Sequence, residues 1–332
     1  MSSKRILVTG GAGFIGSELV AQLARQGHEI IVIDNLSNGK RENLDCLGNG
    51  NVHLVTDDIR DTDAMQRHMK GASTVYHLAC LGVRHSLYEP FENHDVNATG
   101  TLRLLQVARS FEVARFVHVS SSEVYGTAST VPMTEMHPTY PMTVYGAGKL
   151  AGECYARAFY RSYGFPTVVV RPFNSFGPRS HHEGDSGEVI PKFMLRAMAG
   201  KPLIIHGDGT QTRDFSFVTD TARAIMQAAE ADEAVGMTIN VGAGKEISIN
   251  DLALAVKSVV GSNSVQIVHE EPRPGDVLRL CADSSQAADI LGFQPTVSLK
   301  DGLRHLHQWY LAKADSVEEL LAQEQKQNWK AA

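Results

Sequence analysis

A glycine-spaced turn, Thr9-Gly10-Gly11-Ala12-Gly13-Phe14-Ile15-Gly16, sits between a short apolar run, Arg5–Val8, and a stretch with apolar positions at helical spacing, Ser17–Gln26. Glycines at three-residue intervals let a backbone leave a strand tightly, approach a bound group closely and aim a helix N-terminus at it. The partial positive charge of that terminus suits an anion such as a pyrophosphate. A glycine pattern alone also fits a plain tight turn, so the context decides. Further on, the runs Glu29–Ile33, Val52–Val55, Thr74–Leu78, Ala114–Ser120 and Pro166–Val170 alternate with helical stretches at Ala64–Met69, Asn97–Arg109 and Tyr145–Tyr163. Short Val/Ile/Leu runs without polar alternation read as strands buried on both faces, the mark of a parallel sheet. Strands alternating with helices imply right-handed βαβ units. The expected class is α/β, a doubly wound parallel sheet of the Rossmann type.

Beyond Arg171 the texture changes. Pro172, Gly177, Pro178, Gly184 and Gly187 mark a loop-rich segment, and later elements are shorter. The expected organisation is a first domain over 1–173, with segments near 214–242 returning to it. A smaller C-terminal substrate-binding lobe would be built from 174–200 and 245–332. The last fifteen residues, rich in Glu, Gln and Lys, read as a solvated helix or frayed tail. Lys and Arg number 31 against 37 Asp and Glu, a net charge of −6. That balance argues against nucleic-acid and anionic-membrane partners, which need a positive field. Apolar runs are too short for a membrane span, and Cys46, Cys80, Cys154 and Cys281 are too scattered for a disulfide framework or zinc site. A cytoplasmic protein is expected.

Two further features give the glycine turn a chemical meaning. Asp34 ends the second strand 18 residues past Gly16, near the ~20 expected of an acid that binds an adenine-ribose hydroxyl. A carboxylate there repels a 2′-phosphate, so NAD(H) is expected over NADP(H). Asp58-Ile59 follows the third strand, where adenine would lie; a strand-end cap is the plain alternative. Tyr145 and Lys149, four residues apart, share a helix face. A free phenol, with pKa ~10, is a poor base at neutral pH; a neighbouring ammonium and a cationic nicotinamide would favour the phenolate. Upstream, a strand ends in Ser120-Ser121-Ser122-Glu123, at the sheet end where doubly wound folds build active sites. A serine hydroxyl there can hydrogen-bond the oxygen that Tyr145 deprotonates.

Gly10–Gly16, Asp34, Asp58-Ile59, His77-Leu78-Ala79, Asn97, Ser121, Tyr145/Lys149 and Arg171-Pro172-Phe173-Asn174 together resemble the extended short-chain dehydrogenase/reductases. Within them the chain is similar to the NAD-dependent nucleotide-sugar epimerase/dehydratase group typified by UDP-glucose 4-epimerase. The resemblance extends to about residue 310. It implies a catalytic set of Ser121, Tyr145 and Lys149, with Glu123 as a further candidate. It implies NAD contacts at Gly10, Gly13, Phe14, Ile15, Gly16, Asp34, Asn35, Ser37, Asn38, Gly39, Asp58, Ile59, Leu78, Ala79, Leu81, Asn97, Tyr145, Lys149 and Phe173. Substrate contacts are expected at Ser86, Ser122, Asn174, Val189, Arg213, Arg273 and Asp276, the two arginines on a diphosphate. Guanidiniums suit that role because they offer bidentate, charge-assisted hydrogen bonds; surface pairing of Arg213 with Asp214, or of Arg273 with Asp276, is the plain alternative. The helices at 97–109 and 145–163 resemble the pair that forms the group's homodimer interface.

The shared chemistry implied is oxidation of a sugar C4 hydroxyl to a 4-keto sugar; the fate of that ketone differs between members. Glu123 resembles the residue of dehydratases and decarboxylases and could serve as a C5 base, reached from the same strand face as Ser121. Ser122 stands where dTDP-type dehydratases carry an Asp acid. Glu188 stands where glucuronate decarboxylases carry Arg, and would repel a carboxylate substrate. The favoured expectation is an NDP-hexose 4-epimerase acting on a UDP-sugar. A 4,6-dehydratase is second, and a UDP-glucuronate decarboxylase, an NADH-releasing dehydrogenase or a redox-inactive NAD-binding regulator rank lower. His181-His182 near Glu183 and Asp185 read as a substrate loop, not a metal site.

Overall fold

Strands buried on both faces need helices above and below. The computed structural model describes residues 3–45, 50–313 and 315–329, and Cys46 lies outside them. In chain order the strands are β1 (Arg5–Thr9), β2 (Glu29–Ile33), β3 (Val52–Val55), β4 (Thr74–His77), β5 (Arg115–Val119), β6 (Thr167–Pro172), β7 (Asn174–Phe176), β8 (Leu203–His206), β9 (Thr212–Phe217), β10 (Thr238–Val241), β11 (Glu246–Ser248) and β12 (Ile267–Glu270). Seven of them form one all-parallel sheet in the order β3-β2-β1-β4-β5-β6-β10. Alternate side chains serve opposite faces. Val8, Val32, Val117 and Val170 pack toward the helices Phe14–Arg25 and Val218–Glu230. Leu7, Ile31, Phe116 and Val169 pack toward Thr62–Met69, Thr101–Ser110 and Val144–Tyr163. Each such buried side chain contributes roughly 1.5–3 kcal/mol. The doubly wound fold expected from the sequence is the fold observed.

The strand order reverses between β1 and β4. Their connections leave toward opposite faces, which opens a crevice at the carboxyl ends of the strands. Above it lie two small sheets, β11-β9-β7 and β12-β8, backed by the helices Val189–Met198, Ile249–Val260 and Leu299–Leu311 around their own apolar cluster. Three segments sit differently from the sequence expectation. Residues 212–217 belong to the small sheet, and the return to the large one begins at Val218. The helix Ser285–Leu291, with Phe293, packs into the large core against Val218–Glu230 and β10, not into the smaller lobe. Of the two alternatives read for the C-terminal stretch, the helix is the one observed: a capping box formed by Ser316 and Glu319 starts a partly exposed helix, Val317–Ala322, while Leu320, Asn328 and Trp329, the last described residue, are buried. Among the described residues no helix is long and apolar enough to cross a membrane.

Candidate active site

A single cavity of about 960 Å³ runs from the glycine turn to the small sheets. Its first half opens on the glycine turn, where the backbone comes closest. Gly10 has φ +70°, and a Cβ there would come within 2.6 Å of the Ala79 nitrogen; one on Gly16 would meet the Gly10 carbonyl oxygen at 2.1 Å. No side chain caps the helix beginning at Phe14, and its first turn carries no acid. Its N–H groups and positive pole therefore face the cavity where Gly13, Phe14 and Ile15 line it, a fit for a pyrophosphate. Asp34 closes the neighbouring strand. It accepts hydrogen bonds from the Ala12 and Leu36 nitrogens, both at 2.9 Å, and burial raises its carboxyl above the ordinary value. Asp58 is held low, at about 2, by hydrogen bonds from Arg60 and Asn35. Ser37, Asn38, Gly39, Ile59, Leu78, Ala79, Leu81 and Phe173 complete this wall. The donor set and the Cβ-free cradle fit a dinucleotide such as NAD.

The middle of the cavity joins two elements. Thr143 starts the helix Val144–Tyr163 by accepting from the Gly146 nitrogen at 3.2 Å, which places Tyr145 in the first turn and Lys149 one turn on. The far side of this helix is fixed by Glu153. That fully buried carboxylate accepts from Ser120 Oγ at 2.5 Å and from Arg171 Nε and Nη2 at 2.8 and 2.6 Å, tying the helix to the ends of β5 and β6. At the end of β5, Ser121 is extended, and its hydroxyl accepts from the Glu123 nitrogen at 3.2 Å. Burial pushes the Tyr145 phenol well above its ordinary value; the Cys80 sulfur, Glu123 and Glu188 push it the same way, and a hydrogen bond with Ser121 opposes them. Lys149, 2% exposed, is held below its ordinary value by the same burial.

Glu123 reaches the cavity, but not along a strand face as the sequence suggested. Residues Ser122–Val124 form a short 3₁₀ turn, and the turn swings the carboxyl toward Arg213, Asp276, Arg84 and Arg273. Burial raises its pKa first, and Arg213 is the largest opposing influence. Asn174, Val189, Ser122, Arg213, Arg273 and Asp276 all line this second half. Arg213 donates to Asp276 Oδ1 at 2.6 Å. Arg273 has no such partner among the described residues: its buried Nε is unsatisfied, and burial together with Arg84 pushes it down to about 10.

Two expected contacts are set back from the cavity. Asn97 spends its amide on the Leu81 backbone (3.0 Å to the nitrogen, 2.9 Å to the oxygen) and on Asn93 Oδ1, so it holds the Leu81 loop from behind. Ser86 is buried and donates to the Val83 carbonyl oxygen at 2.6 Å. Arg84 was not among the expected contacts yet lines the site, as do Glu188 and His181 from stretches already read as facing the substrate. Arg84 carries a buried, unsatisfied Nε and faces Glu188, Asp276 and Glu123. Glu188 is pushed up to about 7, chiefly by burial. His181, which also lines the cavity, pairs with Glu183, and Glu183 in turn binds Lys40 at 2.9 Å. The signal for Arg84 was present as the one cation in the Gly82–His85 loop, but its unpaired state is a property of the fold.

Comparison with known proteins now bears on this geometry. Residues 7–306 match the family described as GDP-mannose 4,6 dehydratase. The chain belongs to this family, the nucleotide-sugar epimerases and dehydratases. Among family members, the UDP-glucose 4-epimerase of Mycolicibacterium smegmatis is 37% identical over 315 residues, 93% of this chain and 99% of the relative. Among solved structures, the UDP-glucose 4-epimerase of Thermotoga maritima with UDP-glucose superposes with a TM-score of 0.87 at 35% identity, covering 92% of this chain and 98% of its own. A dTDP-glucose 4,6-dehydratase of Streptomyces venezuelae, with NAD and TYD bound, gives the same TM-score of 0.87 at 32% identity, covering 92% and 97%. Family membership thus spans both reaction outcomes and makes the chain an enzyme of this group.

Proposed function

We propose that this enzyme is an NAD-dependent nucleotide-sugar 4-epimerase, with UDP-sugars as the favoured substrates. The observation that carries the reading is one continuous cavity. Its glycine-turn end fits the dinucleotide, its arginines fit a sugar diphosphate, and Tyr145 and Ser121 line the same cavity. NAD, when bound, would supply the redox chemistry, accepting the C4 hydride as NAD⁺ while the hydroxyl proton leaves and returning that hydride to the ketone as NADH. Tyr145 Oη takes the C4 hydroxyl proton and later returns it; Ser121 Oγ hydrogen-bonds the same substrate oxygen. Lys149 adds the fixed positive charge that favours the phenolate. Arg213 and Arg273 hold the diphosphate, and the Glu123 turn borders the sugar.

One observation favours a dehydratase as the second reading. Glu123 lines the cavity beside Ser121 with its carboxyl raised by burial, as a C5 base would require. Against it stands Ser122, a poor acid for expelling a C6 hydroxyl, at the position flanking Ser121. In the same reading the enzyme works as a homodimer through the helices Thr101–Ser110 and Val144–Tyr163, whose outer faces expose Leu102, Tyr160 and Tyr163. The test is incubation of purified protein with UDP-, GDP- and dTDP-hexoses and NMR of the products. C4-epimers support the reading; 4-keto-6-deoxy products move the assignment to the dehydratase, and free NADH accumulating with product rejects both.

A further inference from the structure

The segment 323–329 is gripped by three separate parts of the cavity wall. Asn328, 1% exposed, donates both amide hydrogens to the carbonyl oxygens of Asp185 and Gly187, each at 3.0 Å. Gly184 N donates to the Gln323 carbonyl at 3.1 Å, and Lys192 Nζ to the Gln325 carbonyl at 2.8 Å. Arg196 and Glu324 form a buried pair at 2.8 Å. Trp329 ends the grip: its ring meets His206 edge-on at 4.7 Å between centroids, and the Arg273 guanidinium lies 5.6 Å above it. Asp185, His206, Arg273 and Gln325 all line the cavity, so the segment stands directly behind the half assigned to the nucleotide.

We infer that Asn328 and Trp329 are positioning residues for nucleotide binding, holding the 185–187 loop, His206 and Arg273 in their binding geometry. The inference rests on the substrate reading above. Arg273 is the residue most in need of such support. It pairs with no carboxylate among the described residues, its Nε is unsatisfied, and the indole face is the aromatic surface it lies over. A long side chain left free must be ordered at the moment of binding, and that cost appears as lost affinity. Fixing it in advance against an aromatic ring removes the cost, and a cation–π contact within about 6 Å does so without neutralising the charge the diphosphate needs. Asn328 does the same for the loop, converting two carbonyls of a glycine-containing turn into a fixed support.

The test uses the full chain and three substitutions, Trp329→Ala, Trp329→Phe and Asn328→Ala, with UDP, GDP and dTDP titrated calorimetrically. Trp329→Ala and Asn328→Ala are expected to weaken nucleotide binding about tenfold or more and to raise KM in step, with kcat changed less than about threefold, the pattern of lost uniform binding. Trp329→Phe keeps an aromatic face and is expected to stay within about threefold of the parent. With Trp309→Phe, Trp329 becomes the single tryptophan of the chain, and its emission is expected to shift as nucleotide is added. Parent-like affinity in both Trp329→Ala and Asn328→Ala overturns the inference, as does an equal fall in kcat with KM unmoved. If Trp329→Ala does not fold, Asn328→Ala and Trp329→Phe decide alone. Failure of the parent chain to bind any of the three nucleotides overturns the substrate reading itself, an outcome distinct from variants that bind as the parent does.

Discussion

Replacing Glu153 by Gln is expected to be among the most destabilising single changes in the chain. Glu153 is fully buried and takes two hydrogen bonds from Arg171, at 2.8 and 2.6 Å, a third from Ser120, and one from Arg157 at 3.1 Å. Arg171 is itself 3% exposed and forms no other ion pair among the described residues; it also donates to the Tyr125 hydroxyl at 2.7 Å and the Glu135 carbonyl oxygen at 3.4 Å, and lies 4.6 Å over the Tyr125 ring. Glutamine keeps the shape but strands a buried cation, a change that costs about 3–5 kcal/mol. With unfolding entropy of about 2.1 cal/mol/K per residue, 332 residues give about 0.7 kcal/mol/K, so the expected fall in melting temperature is roughly 4–7 °C. The assay is a thermal scan of parent and variant in the same buffer. Because the helix tied down by Glu153 also carries Tyr145 and Lys149, turnover should fall with it. Removing both charges together, in Glu153→Gln with Arg171→Met, should recover part of the loss, since no fully buried ion is then left alone and Arg157 is exposed enough to be solvated. A shift below about 1 °C for the single change would refute the reasoning that the pair anchors the catalytic helix.

Other outcomes are expected from the site. Tyr145→Phe should lower turnover by about 10²–10⁴ while nucleotide-sugar affinity, by calorimetry, stays near that of the parent. Asp34→Asn should weaken NAD binding and narrow the margin over NADP, measured by fluorescence titration with NADH and NADPH, since it removes the charge that opposes a 2′-phosphate. Glu188 has its carboxyl raised to about 7 from an ordinary 4.5. The folded state therefore holds a proton there that the unfolded chain has released between those values, and stability must fall as pH rises through that window. Glu188→Gln should flatten the slope of stability against pH between about 4.5 and 7, read from denaturation midpoints at several pH values.

Much of the large sheet was legible because its signals are local: a glycine turn, unbroken apolar strands and helices of the right spacing. The proposed catalytic pair rests on a local signal of the same kind, since Tyr145 and Lys149 are one helical turn apart and both line the cavity. What escaped depends on who pairs with whom. Asn97 has the chemistry of a ligand contact, yet its amide is consumed by Leu81, a partner sixteen residues away that no spacing rule selects. Arg84 and Arg213 are alike in sequence, but the fold gives Arg213 a direct ion pair with Asp276 and, among the described residues, leaves Arg84 facing acids without a salt bridge and with its Nε unsatisfied. The C-terminal stretch reads as solvated by composition, and only tertiary contacts show Asn328 and Trp329 buried beneath the substrate wall. The Glu123 turn shows a subtler gap. The strand period projected its side chain onto the face of Ser121, whereas the strand had already ended at Val119.

The most direct test of the 4-epimerase claim is turnover of the preferred nucleotide sugar in D₂O, with the product examined by NMR and mass spectrometry. C4 oxidation and re-reduction by a retained cofactor break no bond to C5, so the account predicts a C4-epimer with no deuterium on carbon. Deuterium at C5 in a 4-keto-6-deoxy product, abolished by Glu123→Gln, would contradict it and assign the carboxyl of Glu123 as the base of a dehydratase.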